Sequence, residues 1–153
     1  MPAPCVRPDP DMSDTMDIKR IEQLASRLGK TVKILIVDDE PRVREVFKEF
    51  CEITQSVQVE MAANGADAVE MVKRDNYDLV TMDLIMPEMA GVEAVARIKE
   101  ARPHLPVIVI TGNATERLIN EAGIKGASSI IHKPVMLEDF IDEMISTLER
   151  GIK

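Results

Sequence analysis

Four apolar residues, Ile34-Leu35-Ile36-Val37, run without interruption into three acids and a proline, Asp38-Asp39-Glu40-Pro41. A continuous apolar run of this kind reads as a strand covered on both faces, as in a parallel sheet. Proline at a first helical position announces a helix behind it. That unit then repeats in kind. Val43, Val46, Phe47 and Phe50 form one helical stripe, and Val57 to Ala62 alternates as an edge strand does. Asn64-Gly65 turns the chain into a helix carrying Ala68, Val69 and Val72, and Asp78 to Met82 is a third strand. The loop at Met86 to Gly91 leads to a helix ending near Glu100, ahead of Pro103. Pro106 to Ile110 is a fourth buried strand; the helix after it carries Leu118, Ile119 and Ala122, with Gly123 as its expected stop. Ala127 to His132 is the fifth strand. The last helix has the cleanest stripe: Leu137, Phe140, Ile141, Met144, Ile145 and Leu148. Five strand–helix units with short connections predict an α/β domain, a parallel sheet between two layers of helices with right-handed crossovers.

The pattern before Val32 is different. Residues 1–16, with prolines at 2, 4, 8 and 10, read as a disordered tail. Residues 17–31 read as an N-terminal helix and linker, with Ile21, Leu24, Ala25 and Leu28 at helical spacing and Gly29 as the stop. A helix of roughly a dozen residues is marginal alone in water, so it must pack on its own domain or on a partner. A homodimer through this helix is therefore one expectation.

Composition narrows the function. Aromatic residues are 3% of the chain and Trp is absent, so aliphatic side chains must build the core and base stacking has little to work with. A net charge of -8 argues against nucleic acid as a partner. No apolar run approaches the ~20 residues of a membrane span, and the N-terminus has no apolar segment like a secretory signal. Cys5 and Cys51 form no disulfide framework and fit thiols in the cytoplasm.

The chemistry stands at the carboxyl ends of the strands, where open α/β sheets carry their sites. The first strand ends in Asp38 and Asp39, the third in Asp83, the fourth in Thr111 and the fifth in Lys133. Singly, the acids could serve a helix dipole, Thr111 could cap a helix, and Lys133 could be a solvated surface residue. If strands one, three, four and five lie side by side, these residues share one pocket. Carboxylates that close need a cation, and an all-oxygen donor set without His or Cys suits Mg²⁺. Asp83 then stands where a carboxylate could act as nucleophile and form an acyl phosphate. His104 and His132 have no second nitrogen ligand near them and read as surface residues.

The set Ile36-Val37-Asp38-Asp39-Glu40-Pro41, Asp83-Leu84-Ile85-Met86-Pro87-Glu88-Met89-Ala90-Gly91, Thr111-Gly112 and Lys133-Pro134 resembles the receiver domains of two-component response regulators, of the stand-alone, CheY-like type. The resemblance covers residues 32–150, and no effector domain is expected. It implies a flavodoxin-like doubly wound sheet of order 2-1-3-4-5. It implies that Asp83 accepts a phosphoryl group from a histidine kinase or a histidine phosphotransfer protein. Asp39 would bind Mg²⁺ directly, Asp38 largely through water, and Asp83 and the backbone carbonyl of Ile85 would complete the metal set. Thr111 would be the switch hydroxyl and Lys133 the phosphate partner. The output surface would be the face made by the fourth helix after the first strand, the fifth strand and the fifth such helix. Ile130 stands at a switch position that usually holds Tyr or Phe, so an aromatic swing cannot operate. Ile85 and Asn113 stand where hydrolytic water is controlled, and an apolar Ile85 predicts slow loss of the phosphoryl group.

Two other readings compete. A Mg²⁺-dependent phosphohydrolase with an aspartyl nucleophile would use a similar sheet, but Asp38-Asp39-Glu40 lacks the usual Asp-x-Asp spacing and no insertion could form a cap. A phosphorylation-independent binding module would have no use for the intact set of acids, threonine and lysine.

Overall fold

Each interior strand alternates between two aliphatic clusters, and that alternation accounts for the layering. Ile34 and Ile36 of the first strand join one cluster, while Leu35 and Val37 join the other. Ile108 and Ile110 likewise oppose Val107 and Val109. Period-two alternation with both sides apolar leaves no face for water, so helices must cover both. The structure is a computed structural model describing residues 19–51, 56–85, 89–112, 114–133 and 137–150. The expected tail, residues 86–88 of the loop after the third strand, Asn113 and Pro134 lie outside the described residues.

Helix α1 spans 19–28 in the described residues. There follow β1 (Val32–Val37), α2 (Pro41–Cys51), β2 (Val57–Ala62), α3 (Gly65–Arg74), β3 (Leu79–Met82), α4 (Gly91–Ala101), β4 (Val107–Thr111), α5 (Glu116–Lys125), β5 (Ser129–His132) and α6 (Leu137–Arg150). The sheet has five strands in the order β2-β1-β3-β4-β5, all parallel, as the resemblance implied. Helices α1, α2 and α6 cover one face, where the rings of Phe47 and Phe140 meet at 4.9 Å. Helices α3, α4 and α5 cover the other. The side chains of Val46, Phe50 and Leu137, expected in the apolar stripes, lie outside the description.

The N-terminal helix packs on its own domain. Ile21, Leu24 and Ala25 are buried in the same cluster as Ile141, Met144, Ile145 and Leu148 of α6. Arg20 pairs with Asp142 and Arg27 with Glu149, both pairs separated by 122 positions. Two contacts of equal offset, two helical turns apart, mean that α1 and α6 run parallel and in register. Gly29 (φ 72) ends α1, its N–H bonding to Ala25 O and Ser26 O.

One helix end differs from expectation. Gly123 does not close α5; the helix runs to Lys125 and stops at Gly126, with φ 117 and its N–H on Ala122 O and Gly123 O. The apolar stripe ends at Ala122, and Ile124 in the last turn is 82% exposed, so no burial signal marked that turn. Gly126 supplies the left-handed residue that the stop requires. Thr115 caps the other end, its hydroxyl accepting from Leu118 N–H.

At the edge β2 is tied to the interior. The Tyr77 hydroxyl donates to Glu60 Oε1 at 2.6 Å, and Lys33 Nζ lies 3.3 Å from Glu60 Oε2. That hydrogen bond holds the Glu60 carboxyl below its ordinary range, while burial and the same bond push the tyrosine up. None of the described helices is long and apolar enough to cross a membrane.

Candidate functional site

Register brings the polar residues together. Val37 of β1 pairs with Met82 of β3, so Asp38 and Asp83 leave the sheet side by side, and Asp83 N–H donates to Val37 O. Thr111 of β4 pairs with His132 of β5, and Lys133 N–H then donates to Thr111 O at 2.9 Å. Asp38, Asp83 and Thr111 are all buried, at 3%, 6% and 1% exposure; Asp39 is exposed. His104 and His132 are both exposed, as expected.

Lys133 joins the two strand-end acids. Its Nζ lies 3.0 Å from Asp38 Oδ2 and 3.1 Å from Asp83 Oδ2. Backbone donors hold the remaining carboxylate oxygens: Glu40 N–H reaches Asp38 Oδ1 at 2.9 Å and Ile85 N–H reaches Asp83 Oδ1 at 3.1 Å. Burial raises the Asp38 pKa, outweighing the Glu40 N–H and Lys133, which pull it down. Burial also opposes the charge on Lys133, but the hydrogen bonds and charges of Asp38 and Asp83 outweigh it and raise its pKa. The pocket thus holds more negative charge than its one ammonium relieves.

The Thr111 hydroxyl is buried and has no hydrogen-bond partner among the described residues. An orphaned buried hydroxyl is uncommon in a folded domain and asks for a partner. Ile130 is half-buried on β5, opposite Val109 of β4, and packs against the cluster of α3, α4 and α5. Ile85, two residues beyond Asp83, is 47% exposed at the pocket mouth.

Two glycines matter more to the pocket than their spacing suggested. A Cβ on Gly91 would lie 2.3 Å from Asp83 O, so the first turn of α4 rests directly on the backbone of that acid. A Cβ on Gly112 would meet the Lys133 side chain at 3.4 Å, so the lysine stem lies along a bare stretch of backbone. Sequence spacing also assigned no role to Glu40, whose Oε1 lies 3.6 Å from Lys133 Nζ.

Oxygen atoms of Asp38, Asp39 and Asp83 all lie within 4.8 Å of one another. An octahedral Mg²⁺ holds oxygens at about 2.1 Å, so opposite ligands stand about 4.2 Å apart. The three carboxylates are gathered on that scale. The donor set, all oxygen and anionic, fits such an ion.

Fold and pocket together define a doubly wound parallel α/β domain with an acid–lysine–threonine site at the carboxyl ends of its strands. A family model described as the response regulator receiver domain matches residues 34–145. The chain belongs to that family, the phospho-accepting domains of two-component signalling. It is 32% identical over 118 residues to the transcriptional regulatory protein SrrA of Staphylococcus aureus, covering 77% of this chain and 48% of SrrA. The chain therefore spans about half the length of these curated relatives. A CheY-like response regulator receiver domain protein from Methanospirillum hungatei superposes with a TM-score of 0.77 at 26% identity, over 80% of this chain and 97% of that one. A receiver domain protein from Clostridium thermocellum gives 0.72 at 27%, over 78% and 95%.

Proposed function

We propose that Asp83 takes a phosphoryl group from a phosphohistidine of a histidine kinase or histidine phosphotransfer protein. The observation that carries this reading is the position of Lys133 Nζ, within 3.1 Å of both Asp38 and Asp83, on a strand end whose backbone N–H bonds Thr111 O. A carboxylate oxygen of Asp83 attacks phosphorus; an O–P bond forms, the donor's N–P bond breaks, and its electron pair leaves with the imidazole nitrogen. Asp38, Asp39, Asp83 and the Ile85 carbonyl would hold Mg²⁺, which when bound offsets the charge of the transferring group. Lys133 neutralises a phosphoryl oxygen, and the Thr111 hydroxyl donates to another. The apolar Ile85 side chain offers no hydrogen bond to a hydrolytic water, so the acyl phosphate is lost slowly and the chain acts as a carrier of state rather than as an enzyme of steady turnover.

The output is a population shift. As Thr111 and Lys133 close on the phosphoryl group, the loops after β3 and β4 rearrange and the face of α5, β5 and α6 changes its binding preference. With Ile130 in place of an aromatic ring, backbone and helix movement carries that change. SrrA is named a transcriptional regulatory protein, so the negative charge of this chain speaks only for the receiver, whose own output we assign to protein binding in the cytoplasm. Sedimentation with and without beryllofluoride and Mg²⁺ tests this. A change in association or in hydrodynamic behaviour that Asp83→Asn abolishes supports the reading; identical behaviour of Asp83→Asn and wild type with the mimic contradicts it.

A further inference from the structure

The ammonium of Lys133 has three N–H donors and no acceptor, and three carboxylates surround it. Asp38 Oδ2 and Asp83 Oδ2 accept at 3.0 and 3.1 Å, and Glu40 Oε1 stands at 3.6 Å, an ion-pair distance rather than a hydrogen bond. The three differ sharply in solvation. The Asp38 and Asp83 side chains are 5% and 7% exposed, whereas that of Glu40 is 62% exposed. We propose that Glu40 is a positioning residue: its carboxylate holds Lys133 toward the pocket mouth before phosphoryl transfer and releases it when the phosphoryl group arrives, which sets how readily the site takes an anionic donor.

The inference rests on the reading of Asp83 as the acceptor and adds what must yield at that step. A phosphoryl group brings close to two negative charges and three acceptor oxygens. Two of the three Lys133 donors already have acceptors, and the ion pair with Glu40 is the loosest of its contacts and the one a phosphoryl oxygen would displace. Moving Lys133 off Asp38 would take a hydrogen bond and a charge from a buried carboxylate, a costlier exchange than moving it off an exposed one. Water replaces Lys133 at Glu40 at little cost, because that carboxylate is already mostly solvated. The backbone serves a separate purpose: Glu40 N–H stays on Asp38 Oδ1 at 2.9 Å, so the side chain can swing away without disturbing Asp38. Glu40 therefore opposes uptake in two ways, by holding Lys133 and by presenting a negative charge to the incoming anion.

The test measures phosphoryl uptake from acetyl phosphate with Mg²⁺, together with the ¹⁵N resonance of the Lys133 ammonium in the unphosphorylated protein. In the reaction the Asp83–phosphorus bond forms and acetate departs with the electron pair. Glu40→Gln should take up phosphoryl groups faster, by roughly threefold or more at low salt, with the gain shrinking as salt screens the exposed charge. Glu40→Asp keeps the charge but shortens the reach, so it should also be faster than wild type, and the Lys133 resonance should move in both variants. Wild-type rates and an unmoved resonance in Glu40→Gln would overturn the proposal. So would a Glu40→Asp variant that behaves as wild type while Glu40→Gln is faster, since bare charge would then suffice. If the wild type takes up no phosphoryl group at all, the reading of Asp83 fails, and the Lys133 resonance still decides whether Glu40 holds the lysine.

Discussion

Gly91 leaves no room for a side chain above Asp83: a Cβ there would lie 2.3 Å from the Asp83 carbonyl oxygen and 2.5 Å from Leu84 Cα. The obstacle is backbone, which cannot rotate away, and Gly91 N–H is itself bonded to Leu84 O at 3.2 Å. Gly91→Ala should therefore push the start of α4 off the acceptor loop, costing about 1–3 kcal/mol as overpacking does. It should also slow phosphoryl uptake by displacing Asp83. Urea denaturation and uptake rates on the same variant check this, and a variant as stable and as fast as wild type would refute the contact.

Helix α1 lies outside the stretch that matches the family, yet it helps to build the core. Leu24 is 2% exposed within the cluster shared with α6. Leu24→Ala should cost about 2–5 kcal/mol, as buried leucine truncations do. Asp142→Ala, which removes an ion pair whose side chains are 42% and 59% exposed, should cost under about 1 kcal/mol. Thermal unfolding separates the two; equal effects would mean that charge rather than burial holds α1 in place.

Thr111 separates stability from signalling. Its hydroxyl is buried and has no partner among the described residues, so Thr111→Val should be neutral or slightly stabilising, within about 1 kcal/mol. The same variant should still be phosphorylated at Asp83 but show a weakened change of association with beryllofluoride. Strong destabilisation by Val would show that the hydroxyl already has a structural partner.

The Asp38 carboxyl makes folding sensitive to pH. Its folded-state pKa is raised, chiefly by burial, so the folded protein binds that proton more tightly than the unfolded chain. The contribution to stability is complete below the ordinary value of 3.8 and is lost as pH rises through the raised folded value. Without divalent cations, the stability of Asp38→Asn relative to wild type should thus improve from about pH 4 to about pH 7. Mg²⁺ should shrink that difference at neutral pH by stabilising the wild type more than Asp38→Asn. A difference that is flat with pH in chelator would contradict the burial argument.

Most of the architecture was legible because apolar runs and turn residues alternate cleanly from Val32 onward. The order of strands was not readable from periodicity and came from the resemblance. The pocket was legible for a simple reason: Asp38, Asp83, Thr111 and Lys133 each stand at the carboxyl end of an apolar strand, and a parallel sheet collects such positions. What escaped the sequence depends on distances across the fold. The end of the apolar stripe pointed to Gly123 as the stop, whereas the helix runs one exposed turn further, through Ile124, to Gly126. Arg20 and Asp142 are too far apart in the chain for spacing to choose between a domain contact and a partner contact. The approach of Glu40 to Lys133 is likewise set by side-chain reach after the strands have met.

The central claim is that Asp83, and no other carboxylate of the pocket, carries the phosphoryl group. Intact-protein mass spectrometry after incubation with acetyl phosphate and Mg²⁺ tests it most directly, on wild type and on Asp83→Asn. One added phosphoryl group, labile to hydroxylamine, is expected on the wild type and none on a folded Asp83→Asn. A hydroxylamine-labile adduct of the same stoichiometry on Asp83→Asn would contradict the account.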